Sequence, residues 1–121
     1  MGKTNFAFEN LDVYKRTLKL TTDLCCLAER FPTKYPRLRD QLIGVAVSVP
    51  LNIAEGSVRT PKESRNYYKI ARGSCFECIP ILEIAYNLHL IKDDILPKYK
   101  QELSEISKIL SSLIKRETLK S

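Results

Sequence analysis

The sequence predicts an all-α protein, an antiparallel up-down-up-down four-helix bundle. Three observations predict it. Four segments carry apolar residues at steps of three and four, separated by short breaks. Glycine (4) and proline (6) are scarce among the 121 residues, too few turn formers for a β-sandwich of this size. A chain that is 44% hydrophobic and 28% charged has the composition of a globular domain, not of a disordered one. The length suits one bundle domain over residues 1–121, without internal repeat or low-complexity linker.

The first helix is expected over residues 10–30. Leu11, Tyr14, Leu18, Thr21, Cys25 and Ala28 recur at helical spacing, with Lys15, Arg16, Lys19 and Asp23 on other faces. Phe31-Pro32 ends it, because proline cannot continue a helix and restricts the residue before it. The second helix is expected over residues 36–56, with Pro36 in its first turn and Leu38, Leu42, Val45, Val49 and Ile53 as its stripe. Ile43, Val45, Val47, Val49 and Leu51 also alternate at period two, a strand signal when taken alone. No second strand exists to pair with this one, so the segment is read as helix. Pro50 should kink it, and Gly56 is placed to cap its C-terminus.

The third helix is expected over residues 61–89. Thr60 suits the N-cap, Pro61 the first turn, and Glu63 completes a capping box. Tyr67, Ile70, Ser74, Cys78, Ile81, Ala85 and Leu88 form its stripe, and Pro80 predicts a second kink. The fourth is expected over residues 93–119, with Asp93 and Asp94 at its N-terminus and Lys115, Arg116 and Lys120 near its C-terminus. Ile95, Tyr99, Leu103, Ile106, Leu110 and Leu113 form its stripe. Short connections make neighbours antiparallel. The second helix is apolar nearly all round, whereas a bundle buries only one stripe per helix. Its spare face predicts self-association into a homo-oligomer.

The net charge of +6 creates a field that attracts phosphates, although solubility alone explains a charge of this size. Lys62, Arg65, Lys69 and Arg72 recur at steps of 3, 4 and 3 and share one stripe of the third helix. Tyr68 lies beside the stripe, Phe76 extends it, and Arg37, Arg39 and Arg59 are read as flanking it. Between Arg30 and Arg72 there are nine basic residues against three acidic ones. Cations with a neighbouring aromatic form a candidate surface for RNA or DNA; the plain alternative is a solvated helix face.

No run of 18 apolar residues exists, so no transmembrane helix is expected. Residues 1–6 lack the apolar core of a signal peptide, and Phe6 stands where a myristoylation signal has Ser or Thr. A cytoplasmic protein without a membrane partner is expected. Cys25, Cys26, Cys75 and Cys78 should then be free thiols. The Cys75-x-x-Cys78 pair lies deep in a helix instead of following a strand, which argues against a redox motif. Cys25 and Cys26, as helical neighbours, point about 100° apart and poorly suit one zinc ion. No metal or cofactor is therefore assigned. His89 is the sole histidine, and Gly73-Ser74 lacks the pattern of a phosphate loop. With no paired nucleophile and base, no catalytic residue is assigned and an enzyme is not expected.

Asn52 and Glu55 follow Pro50, where a backbone carbonyl is freed. They are read as bonding backbone groups at the kink, or reaching Ser74 or Glu77 on the third helix. A Glu55–Glu77 carboxylate site is the functional alternative.

Three blocks resemble the 23S rRNA intervening-sequence proteins, also called the four-helix bundle protein family. Phe8-Glu9-Asn10-Leu11-Asp12-Val13-Tyr14 resembles the family's opening. Asp40-Gln41-Leu42 with Ser48-Val49-Pro50-Leu51-Asn52-Ile53-Ala54-Glu55-Gly56 resembles its signature. Ile70-Ala71-Arg72-Gly73-Ser74 with Glu77 resembles its second block. The motif positions are Pro50, Asn52, Glu55, Gly56, Gly73, Ser74 and Glu77. Cys75, Cys78 and Pro80 depart from the family's usual leucine and polar residues. The resemblance implies a four-helix bundle assembled as a homo-oligomeric ring, a homopentamer, from a bacterial source. It implies no established enzyme activity and a link to RNA. A non-enzymatic oligomer binding RNA through a basic face is the expected function; a protein-interaction scaffold is the alternative.

Overall fold

The structure, a computed structural model, describes residues 7–121. The reading of residues 1–6 for leader and acyl signals lies outside the described residues. A 3₁₀ turn, Ala7–Asn10, precedes α1 (Asp12–Glu29), α2 (Pro36–Ser57), α3 (Pro61–Asn87) and α4 (Ile95–Lys120). Among the described residues there are four α-helices and no strand, consistent with a four-helix bundle. None of these helices is long and apolar enough to cross a membrane. The alternating run from Ile43 to Leu51 is helical, as the lack of a partner strand requires.

Leu24, Leu42, Val49, Ile53, Leu82, Leu103, Ile106 and Leu110 are almost wholly withdrawn from water and form the centre of the core. The expected stripes of α2 and α4 largely coincide with the buried residues. Those of α1 and the start of α3 do not. In α1 the buried residues are Val13, Thr17, Leu20, Leu24 and Ala28, whereas Leu18 is 43% exposed. The polar Thr17 is buried at little cost because its hydroxyl donates to the Tyr14 carbonyl at 2.8 Å. In α3, Tyr68 and Ala71 face inward where Tyr67 and Ile70 were expected.

Both α2 and α3 continue through their internal prolines. Pro50 has no N–H, so the Ala46 carbonyl one turn earlier loses its helical donor. The Thr21 hydroxyl on α1 donates to that carbonyl at 2.8 Å and replaces the missing bond. Across α2 and α3, Ser74 Oγ donates to Ser48 Oγ at 2.8 Å, and Ser64 Oγ donates to the Gly56 carbonyl. Across α3 and α4, Arg65 donates to Ser121 and Arg72 to Ser111, each at 3.1 Å. Arg16 of α1 reaches α4, donating to Glu102 through two nitrogens at 3.1 and 2.6 Å.

Gly56 does not cap α2. The helix runs to Ser57 with Val58 as its C-cap, and Gly56 is buried inside it. A Cβ at this position would lie 2.9 Å from Tyr68 Cε1 and 3.0 Å from Tyr67 Cβ. Glycine is needed here for the close approach of α3, not for backbone freedom. The surroundings of α2 also correct the expectation of a wholly spare apolar face. Ile43, Val45, Val47 and Ala54 are half-covered by the chain's own helices, and Leu51 is the one large apolar side chain of α2 left exposed. Ile70, Ile84 and Leu88 of α3 add to the exposed apolar surface.

The capping box forms, with Thr60 Oγ1 accepting from the Glu63 amide at 3.4 Å and Glu63 Oε1 accepting from the Thr60 amide at 3.3 Å. At α4 the expectation is corrected. Asp94 occupies the N-cap without a side-chain cap bond, leaving only a favourable charge at the positive helix end. Beyond α3, the exposed His89 takes a left-handed backbone, φ 61°, with its amide on Tyr86 O and the Leu90 amide on Ala85 O, both at 2.9 Å. This is a Schellman closure at a position that favours glycine. His89→Gly should therefore raise stability by about 0.5–1 kcal/mol, the relief of the left-handed strain less the added freedom of the unfolded chain. An increased urea midpoint at unchanged slope would register it.

Candidate nucleic-acid interface

The residues singled out in the sequence divide into two groups. Asn52, Gly56 and Ser74 of the motif residues lie in the seam between α2 and α3. Asn52 Nδ2 donates to the Ser48 carbonyl at 2.8 Å and to Ser48 Oγ at 3.0 Å, and Ser74 joins the same hydroxyl. Pro50, two residues from both Ser48 and Asn52, is buried. Glu55 does not reach Glu77. It pairs with Arg59, whose Nε donates to Glu55 Oε2 at 2.6 Å. The contacts of Ser48 with Ser74 and of Gly56 with Ser64 place Glu77 about ten residues along the seam from Glu55, roughly 15 Å at 1.5 Å per residue. Glu77 instead lines an open hollow with Gln41, Gly44, Val45, Pro80 and Ile81. The carboxylate-pair reading is thus overturned by register. Gly73 meets nothing within 4 Å of an added Cβ, so no contact within the chain demands it.

The basic residues separate further. Lys62, Arg65, Lys69 and Arg72 line up on α3 beside α4. Lys62 and Lys69 are exposed, and Arg65 and Arg72 are half-buried. Hydroxyls, not carboxylates, hold the two arginines: Ser121 takes Arg65 and Ser111 takes Arg72. Among the described residues no carboxylate forms a salt bridge with any of the four.

The other four residues read as part of this surface do not join it. Tyr68 is only 2% exposed. It packs against Gly56, and burial pushes its phenol up from the ordinary value. A ring so placed cannot stack on a base. Arg37 stands at the start of α2 and shares a hollow with Ile84 and Leu88 near the far end of α3, roughly 30 Å along that helix from Lys62. Arg39 belongs to the same end and pairs with Asp40 at 3.2 Å. Arg59 is held by Glu55 and lies 5.7 Å from the centroid of the Tyr67 ring, so its charge is already matched. The expectation failed because the α2–α3 connection brings together only the end of α2 and the start of α3.

Sequence reading missed the contribution of α4. Lys108 lines a hollow with Phe76, Ile79, Ser104, Ser107 and Ser111, and Lys115 is exposed two turns further along. The signal was the spacing Lys108, Ser111, Lys115, which becomes visible once α4 is set against α3. Phe76, 53% exposed, does extend the basic stripe.

The thiols offer no comparable site. Among the described residues no three His, Cys, Asp or Glu side chains gather as a metal-holding group. Cys75 and Cys78 are buried, Cys25 is half-buried and Cys26 is exposed. Burial pushes the Cys75 and Cys78 thiols up to about 12 from 9.0.

The family model described as 23S rRNA-intervening sequence protein matches residues 9–112. No curated protein matches the chain.

The raised thiols carry a sign. Each stays protonated in the folded chain after it has ionised in the unfolded one, so the unfolded chain binds fewer protons above pH 9. Stability should fall as pH climbs from about 9 to 12. Urea midpoints across that range should drop less steeply for a Cys75→Ala, Cys78→Ala variant than for the parent.

Proposed function

Since the chain belongs to the 23S rRNA-intervening sequence protein family, we propose that it is a non-enzymatic, oligomeric bundle that binds RNA through the α3–α4 face. The topology is up-down-up-down, the assembly is a ring of five, and the setting is the bacterial cytoplasm. One observation carries the RNA reading. The four cations of α3 are aligned and, among the described residues, form no salt bridge with a carboxylate, while Lys108 and Lys115 add charge on α4. Arg16 and Arg59, by contrast, are held by Glu102 and Glu55. Unspent cations in a row match the spaced charges of a phosphate backbone. The family's connection with rRNA genes is compatible with such a partner.

The oligomer is supported by the flank of α3 that borders α2. Ile70, Ile84 and Leu88 are exposed there, and Leu51 is exposed on α2. Gly44 and Gly73 both have open space where a Cβ would stand. Glycine within a helix costs about 1 kcal/mol relative to alanine, and close approach of a second chain is a reason to keep it. A ring would present the basic stripe several times and multiply weak contacts by avidity. A scaffold for another protein is the second reading, favoured by the same exposed apolar residues.

Two measurements test these readings. Changing Lys62, Arg65, Lys69 and Arg72 to Glu should abolish RNA retardation in a gel. In the parent, the logarithm of affinity should fall with that of salt by about 0.7 for each phosphate contact on single strands. Affinity insensitive to salt or to the four changes would refute the RNA reading. For assembly, light scattering should give a pentamer mass, and Ile84→Glu with Leu88→Glu should release monomers; a monomeric parent would exclude the ring.

A further inference from the structure

We propose that the hollow between α3 and α4 at Phe76 receives an unpaired base of a single-stranded nucleic acid, with Arg72 and Lys108 on the flanking phosphates. The inference rests on the RNA reading above and names the form of nucleic acid that this face selects. Phe76 is the one aromatic among the large side chains left exposed in the described residues. Its solvation has no internal justification: a phenylalanine on a helix surface loses the apolar burial that would stabilise it. It continues the cationic stripe at the next step of four after Arg72.

Beside it the surface is concave. Phe76 and Ile79 from α3 face Ser104, Ser107, Lys108 and Ser111 from α4 around a hollow of about 390 Å³. The lining carries the groups a base site needs. An aromatic wall offers a π face, the Ser104 and Ser111 hydroxyls offer donors and acceptors to base edges, and Lys108 supplies charge. Ser107 is already engaged, donating to the Leu103 carbonyl at 2.8 Å, and so forms part of the floor. Arg72, fixed at 3.1 Å from Ser111 Oγ, holds a guanidinium at one end of the hollow. No carboxylate lines it.

This arrangement discriminates between forms of nucleic acid. A base inside a duplex has both faces stacked and cannot meet the Phe76 ring without leaving the helix. An unpaired base stacks directly, and such contacts are sequence-tolerant because every base has a π face. The cationic stripe alone would attract both forms through their phosphates.

The chain has no tryptophan, so Phe76→Trp creates a single reporter at the site. Phe76 is surface-exposed, and neither this change nor Phe76→Ala should disturb folding, which circular dichroism checks. Titrating Phe76→Trp with a short single-stranded RNA should quench its emission, whereas duplex RNA of equal length should not. Phe76→Ala should weaken single-strand binding about tenfold and leave duplex binding unchanged. Loss of binding in the charge-reversed variant, with Phe76→Ala indistinguishable from the parent and no quenching in Phe76→Trp, would overturn the base pocket while sparing the RNA reading. A parent that binds neither form would overturn both.

Discussion

The contact of Gly56 with the Tyr68 ring sets the rotation of α3, and through it the character of the surface that α3 presents. A methyl group at residue 56 would stand 2.9 Å from the ring, so α3 approaches α2 here as closely as a hydrogen permits. The Ser64 bond to the Gly56 carbonyl and the Ser48–Ser74 bond fix the same seam at two heights. A helix rotates by about 100° per residue. With Tyr68 turned inward, Lys69 must turn outward, and the residues three and four away follow it. The cationic stripe is thus a consequence of where one aromatic ring is buried.

The seam is also where the polar motif residues are consumed. A proline inside α2 leaves a carbonyl without its donor, and an unsatisfied buried carbonyl costs about 1–3 kcal/mol. Thr21 reaches across from α1 to that carbonyl, while Asn52 and Ser74 converge on Ser48 and tie α3 to α2. Asn52, Glu55 and Ser74 suggest chemistry, yet here Asn52 and Ser74 bond Ser48 in the α2–α3 seam and Glu55 joins a salt bridge with Arg59.

Much of this could be read from the chain. Helix number and bounds followed from apolar spacing, Thr60 and the two helix-opening prolines, because these signals are local. The phase of α1 did not. Leu11, Tyr14 and Leu18 form as good a stripe as Val13, Thr17 and Leu20, and only the partners on α2 and α4 decide between them. The cationic row on α3 was legible as a row, since its spacing is that of one helix. Its neighbours were not. Lys108 and Ser111 are near it only through the α3–α4 register, and Arg37 and Arg39 were misplaced because sequence proximity to a connection says nothing about which helix end it joins. Tyr68 sits next to Lys69 in the chain but a quarter-turn away in space, which separates a core ring from a surface charge.

The hydroxyl anchors of Arg65 and Arg72 have one more effect. An arginine free in solvent carries about 2 kcal/mol of rotamer entropy, and an incoming anion must suppress it. A carboxylate anchor would suppress it in advance but would also cancel the charge. Serine does the first without the second: Ser121 and Ser111 restrain the guanidiniums through neutral bonds. These side chains are preorganised by hydroxyls that bring no opposing charge of their own.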